Sequence, residues 1–169
     1  MMLSLLSVAL LLPTISEAFV GWISKGAVLA GPRQIASSGT RQFLKDENMS
    51  PEEREIALDK ALKAMTSFSN AYIKNTGTKY CKDLSIPAVV IKGLAEHKVS
   101  LGAPLCPCRF YEDKEKEAKD GFWNCPCVPM RERHECHCML FLTEENDFVG
   151  EETIITLEQV LEKSSQPML

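Results

Sequence analysis

No glycine-rich nucleotide-binding motif, no flavin or nicotinamide fingerprint and no internal repeat occurs in these 169 residues. A chain without them binds no soluble hydride donor by a known motif. A bilayer-spanning run is missing as well. The apolar stretch Leu3 to Leu12 is about half of the roughly twenty residues that a crossing requires. The formal net charge is −4, which excludes a strongly basic nucleic-acid binder. The Cys-X-X-Cys spacing of thioredoxin-type motifs and of most zinc ribbons is absent too. What remains is a chain long enough for one domain with a real core, of ordinary globular composition, with 45% hydrophobic and 25% charged residues.

Acid is scarce at the start. Residues 1–45 hold Glu17 against Lys25, Arg33, Arg41 and Lys45, a balance of +3 that leaves −7 for the remainder. Ser16-Glu17-Ala18 after the apolar run forms a signal-peptidase site before Phe19, although no basic residue precedes the run. Phe19 to Lys45 is basic, hydroxylated and free of acid, the composition of a transit segment. The chain therefore reads as a signal peptide at 1–18, a transit-like segment at 19–45 and a mature domain at 46–169. The simpler alternative is a secretory signal followed by a flexible basic spacer.

The mature part opens on a strong helix start. Ser50-Pro51-Glu52-Glu53 supplies a cap, a first-turn proline and a capping-box glutamate. Leu58, Ala61, Leu62, Met65, Phe68, Tyr72 and Ile73 then recur at helical spacing as a core face, with an end predicted at Asn75 or Gly77. Ser85 and Pro87 open a second helix through Val89, Val90, Leu94 and Leu101, closed by Gly102 and Pro104. His97, late in it, reads as a partly exposed polar residue, and Cys81 between the helices as a structural thiol. Tyr111 to Asp120 reads as a short solvated helix with mixed charge pairs. Met139 to Leu142 packs against the core as strand or helix. Thr156-Leu157-Glu158-Gln159 is a capping box opening a last helix through about Lys163.

Six of the seven cysteines fall between Cys106 and Cys138, as Cys106-Pro107-Cys108, Cys125-Pro126-Cys127 and Cys136-His137-Cys138. Cysteines one residue apart hardly bond to each other, given the geometry a disulfide requires. Pro107 and Pro126 stiffen two of the loops. Three chemistries use such a set: a zinc site with two idle thiols, three disulfides in an exported protein, or an iron–sulfur cluster with one disulfide beside it. Spacing alone does not choose the four ligands.

The pattern of Cys-Pro-Cys, sixteen residues, Cys-Pro-Cys, eight residues and Cys-His-Cys resembles the catalytic subunit of ferredoxin–thioredoxin reductase. Flanking words agree: Leu105 to Arg109, Tyr111-Glu112-Asp113-Lys114, Phe122-Trp123-Asn124, Pro129 to Arg133 and Cys136 to Leu142. The resemblance covers about residues 55 to 162. It implies a mainly α, compact single domain of about five helices, with rigid Cys-Pro-Cys loops wrapped around a [4Fe-4S] cluster. It implies Cys106, Cys125, Cys127 and Cys136 as cluster ligands, Cys108–Cys138 as a redox-active disulfide and His137 as the proton-handling residue. His134 has no such counterpart and reads as surface charge.

The implied activity converts single electrons from ferredoxin into two-electron reduction of thioredoxin, with Cys108 attacking and Cys138 resolving the mixed disulfide. Ferredoxin near about −400 mV and thioredoxin near about −270 mV differ by roughly 6 kcal/mol for two electrons. Arg109, Lys114, Arg131 and Arg133 would give the rim a positive face for an acidic ferredoxin. A smaller SH3-like variable subunit is the implied heterodimer partner; neither nucleic acid nor, for the mature form, a membrane is expected. The leader resembles the two-part leader of algae with secondary plastids, which places the mature protein in the stroma. The competing readings are a non-catalytic zinc or iron–sulfur module and a secreted disulfide-bonded protein.

Overall fold

A computed structural model describes residues 49–165; the leader readings for 1–18 and 19–45 lie outside them. Five helices carry the described part: α1 (Pro51–Thr76), α2 (Ser85–Leu101), α3 (Lys114–Asp120), α4 (Val128–Arg133) and α5 (Leu157–Ser164). Among the described residues pairing between extended segments is confined to isolated bridges, Lys79 with Leu142, Cys81 with Val149 and Leu105 with Asn124. The mainly α expectation holds. No described helix is long and apolar enough to cross a membrane.

α1 forms where its signals say. Ser50 accepts from the Glu53 amide and the Glu53 carboxylate accepts from the Ser50 amide, so both arms of the capping box are made. Gly77 ends the helix at φ 70°, a left-handed conformation that costs glycine little. Of the stripe, Ala61, Leu62, Met65 and Ile73 are buried, while Phe68 and Tyr72 are half-buried. α2 packs against α1 on one side and α5 on the other. It buries Val90, Ile91, Leu94 and Ala95, and Val160 of α5 is fully enclosed. The capping box of Thr156 and Gln159 starts α5 as predicted. Cys81 is buried in its bridge segment, in keeping with a structural role.

Three details differ from the sequence reading. α3 begins at Lys114, three residues after Tyr111, because Asp113 is extended and its side chain caps the Lys116 amide. Tyr111 is buried instead. α4 has no counterpart in the periodicity: six residues are too few to show it. Met139 to Leu142 is neither helix nor strand. Met139 turns through φ 54°, Leu142 exchanges both backbone hydrogen bonds with Lys79, and Phe141 packs on Tyr72 at 4.5 Å between ring centroids. That segment fixes the third cysteine pair to α1.

Candidate functional site: a six-thiol centre

Each cysteine pair is placed by a different part of the fold. The first two loops are laced together antiparallel. The Cys106 amide donates to the Trp123 carbonyl at 3.0 Å, and the Cys125 amide to the Pro104 carbonyl at 2.8 Å. Leu105 and Asn124, the residues just before Cys106 and Cys125, bridge each other. Two cysteines nineteen positions apart in sequence thus become neighbours. Cys127 then caps α4, whose second residue is the buried Pro129. The third pair hangs from the turn in which the Met139 amide donates to the Cys136 carbonyl.

The first pair has further anchors that the sequence reading did not assign. The Tyr111 hydroxyl donates to the Cys106 carbonyl at 3.0 Å. His97 Nδ1 lies 2.7 Å from the Leu105 carbonyl, so that nitrogen carries the proton and the residue clamps the chain beside Cys106. With Nδ1 protonated, Nε2 accepts from Lys114 Nζ at 3.4 Å. Gly93 of α2 lies directly under Pro107: a Cβ there would stand 2.7 Å from the proline Cβ. Tyr111 was hidden by its charged neighbours, whereas Gly93 carries no local signal because its partner comes from another loop.

The thiols meet in one place. Cys106, Cys125, Cys127, Cys136 and Cys138 line a single cavity of about 450 Å³ with Leu94, Met130 and Phe141 among its walls. Cys108 is not part of that lining and is exposed. Cys81 lies elsewhere, in its own bridge. The sulfurs of Cys106, Cys108 and Cys138 lie within 4.8 Å of one another, with Cys106 to Cys138 at 2.8 Å. His137 borders the cavity from an exposed position. His134 is exposed and ends α4 in a left-handed conformation, φ 56°. Of the rim cations, Arg109 lies over the Trp123 ring at 3.6 Å and Arg133 pairs with Glu135 at 2.9 Å.

The electrostatics suit a group that takes up negative charge. Burial pushes the Cys125 thiol well up, and the neighbouring cysteines push it further. Burial also raises Cys136, against backbone amides of Phe141, Leu140 and Cys138 that favour its thiolate. In the close trio, hydrogen bonds from the Cys108 and Cys138 thiols hold Cys106 well below the ordinary thiol range, at about 3, and the hydrogen bond to Cys106 pushes Cys108 up to about 12. Several thiols crowded into apolar walls resist ionising together, and a cation among them removes that penalty. Amides aimed at a ligand sulfur are a known means of tuning an iron–sulfur centre. The donor set therefore fits a metal or iron–sulfur group.

A family model described as ferredoxin thioredoxin reductase catalytic beta chain matches residues 55–163. The chain belongs to this family. The catalytic chain of spinach ferredoxin–thioredoxin reductase, chloroplastic, is 62% identical over 107 residues, 63% of this chain and 74% of the relative. That of Synechocystis sp. is 62% identical over 104 residues, 62% of this chain and 88% of the relative. That of Porphyra purpurea is 56% identical over 108 residues, 64% of this chain and 92% of the relative. Within the family match lie all six cysteines of the centre, and also Tyr111, His97 and Gly93 that anchor the first pair.

Proposed function

We infer that this chain is the catalytic subunit of a ferredoxin-dependent disulfide reductase that delivers electrons to thioredoxin. One observation carries the division of labour: Cys108 is exposed, whereas its neighbour Cys138 is buried against the cavity. Disulfide exchange needs one thiol that a protein substrate can reach and a second that it cannot displace.

Cys106, Cys125, Cys127 and Cys136 would hold a [4Fe-4S] cluster, the assignment that the family resemblance implies. When bound, such a cluster supplies electrons singly. The remaining steps belong to the chain's own residues. Cys108 sulfur attacks one sulfur of the thioredoxin disulfide, forming a mixed disulfide and expelling the other thioredoxin sulfur as thiolate. Cys138 then attacks Cys108 sulfur, releasing the second thioredoxin thiolate and closing Cys108–Cys138. Thioredoxin has gained two electrons and this pair has lost two; protons complete the thioredoxin thiols. His137, next to Cys138 and open to solvent, is positioned in the chain to carry a proton for that pair.

Exposed Arg109, Lys114, Arg131 and Arg133 would steer an acidic ferredoxin toward the centre. A smaller SH3-like variable subunit completes the enzyme in this reading. A chloroplast-type stroma is the site of action, reached in a secondary plastid through the two-part leader at 1–18 and 19–45; the chloroplastic plant relatives support the plastid.

Trapping tests the roles. Cys138→Ser enzyme mixed with oxidised thioredoxin should accumulate a one-to-one covalent adduct through Cys108, seen by non-reducing mass measurement. Cys108→Ser should give none. The reverse outcome exchanges the two roles, and no adduct in either variant ends the reading.

A further inference from the structure

Phe110 is the most exposed of the large hydrophobic side chains among the described residues, at 91%. It stands two positions beyond the exposed Cys108. Both of its neighbours are tied down. On one side the Arg109 guanidinium lies 3.6 Å over the Trp123 ring. That ring in turn meets Phe122 edge-on at 4.7 Å. On the other side Tyr111 is buried with its hydroxyl on the Cys106 carbonyl. A phenyl ring is thus held out into solvent on a short segment fixed at both ends. Presenting it this way costs little ordering when a partner arrives.

Geometry says which partner must cover it. Two residues of chain reach at most about 7 Å. One side of a standard interface covers about 800 Å², a patch of roughly 16 Å radius. A protein joined to Cys108 through a disulfide therefore lies over Phe110. Aromatic side chains near the centre of such a patch carry a disproportionate share of binding energy. Arg109, with its face on Trp123, keeps its charge at the edge of the same surface, and Phe122 is 44% exposed beside it.

We propose that Phe110 is the docking anchor for the disulfide-bearing protein substrate, entering an apolar depression next to the substrate's disulfide. The proposal rests on the reading that Cys108 is the attacking thiol. It commits the occupant to the protein that receives electrons, not to the electron donor or to the smaller subunit.

The test compares holoenzyme carrying Phe110→Ala or Phe110→Leu with wild type in ferredoxin-driven turnover. Phe110→Ala should raise KM for thioredoxin at least about tenfold with kcat little changed. KM for ferredoxin and the rate with a small-molecule disulfide should stay as in wild type, and Phe110→Leu should restore most of the thioredoxin affinity. An unchanged thioredoxin KM overturns the proposal. So does an equal loss with the small disulfide, which would mean a damaged site, or a shift confined to ferredoxin or to retention of the smaller subunit. Wild-type enzyme that exchanges with the small disulfide but never with thioredoxin overturns the functional reading and this substrate with it.

Discussion

Six thiols within one short segment do not have equivalent surroundings, and their differences are set by single residues. Cys108 is exposed because it follows Pro107, which sits on Gly93, and precedes Arg109, which is drawn away onto Trp123. Cys138 is buried because the turn after it sends Leu140 and Phe141 into the core. His137 lies between Cys136 and Cys138, both of which line the cavity, yet its own side chain is open to solvent. In the proposed role of proton carrier, it would act on rate without holding the metal. His137→Gln should therefore slow thioredoxin reduction by about tenfold or more while iron content and the visible spectrum stay unchanged. Loss of iron in that variant would show that the ring is a ligand.

At the scale of elements, α2 is the bench on which the first cysteine pair rests. It meets that loop at the Gly93 surface under Pro107 and at the His97 ring on the Leu105 carbonyl. Gly93→Ala places a methyl 2.7 Å from the proline Cβ, a conflict that neither a helix nor a proline loop absorbs without moving. The expected outcome is a loss of about 1–3 kcal/mol in stability with faster loss of iron than in wild type, followed by thermal melting and by chelator challenge. Unaltered melting and iron retention would mean that the loop has more freedom than this packing allows.

The same element shows what was legible in the sequence. Helix limits were readable because they depend on neighbours in the chain: Ser50 with Glu53, Gly77, Gly102, and Thr156 with Gln159. The cysteine pairs were readable as a motif, and the family match agrees with that recognition. α4 and the supports of the first pair were not. Gly93, His97 and Tyr111 act through partners from 5 to 14 residues away, Cys106, Leu105 and Pro107, and composition carries no record of such a pairing. His97 read as a plain polar residue for that reason, though it clamps the strand-like approach to Cys106.

Across the whole described part, helices α1, α2 and α5 pack together and build the core with loop residues such as Tyr80, Leu140, Phe141 and Ile155, while the connections between shorter pieces make the centre. This division leaves the chemistry on loops held by a rigid scaffold, a common arrangement for reactive sites. Apolar walls around the thiols raise the cost of leaving them charged without a cation, so the fold and the metal are coupled: a bound cluster stabilises the native state by mass action. In the proposed function four of the six thiols hold a cluster and two exchange electrons with a protein. Its most direct test is the iron, acid-labile sulfide and zinc content of the mature protein purified anaerobically, together with the six single Cys→Ser variants of the centre. Iron with matching sulfide should be present in wild type and retained in Cys108→Ser and Cys138→Ser, and lost in Cys106→Ser, Cys125→Ser, Cys127→Ser and Cys136→Ser. Zinc without sulfide in wild type, or a cluster that depends on Cys108, would contradict the account.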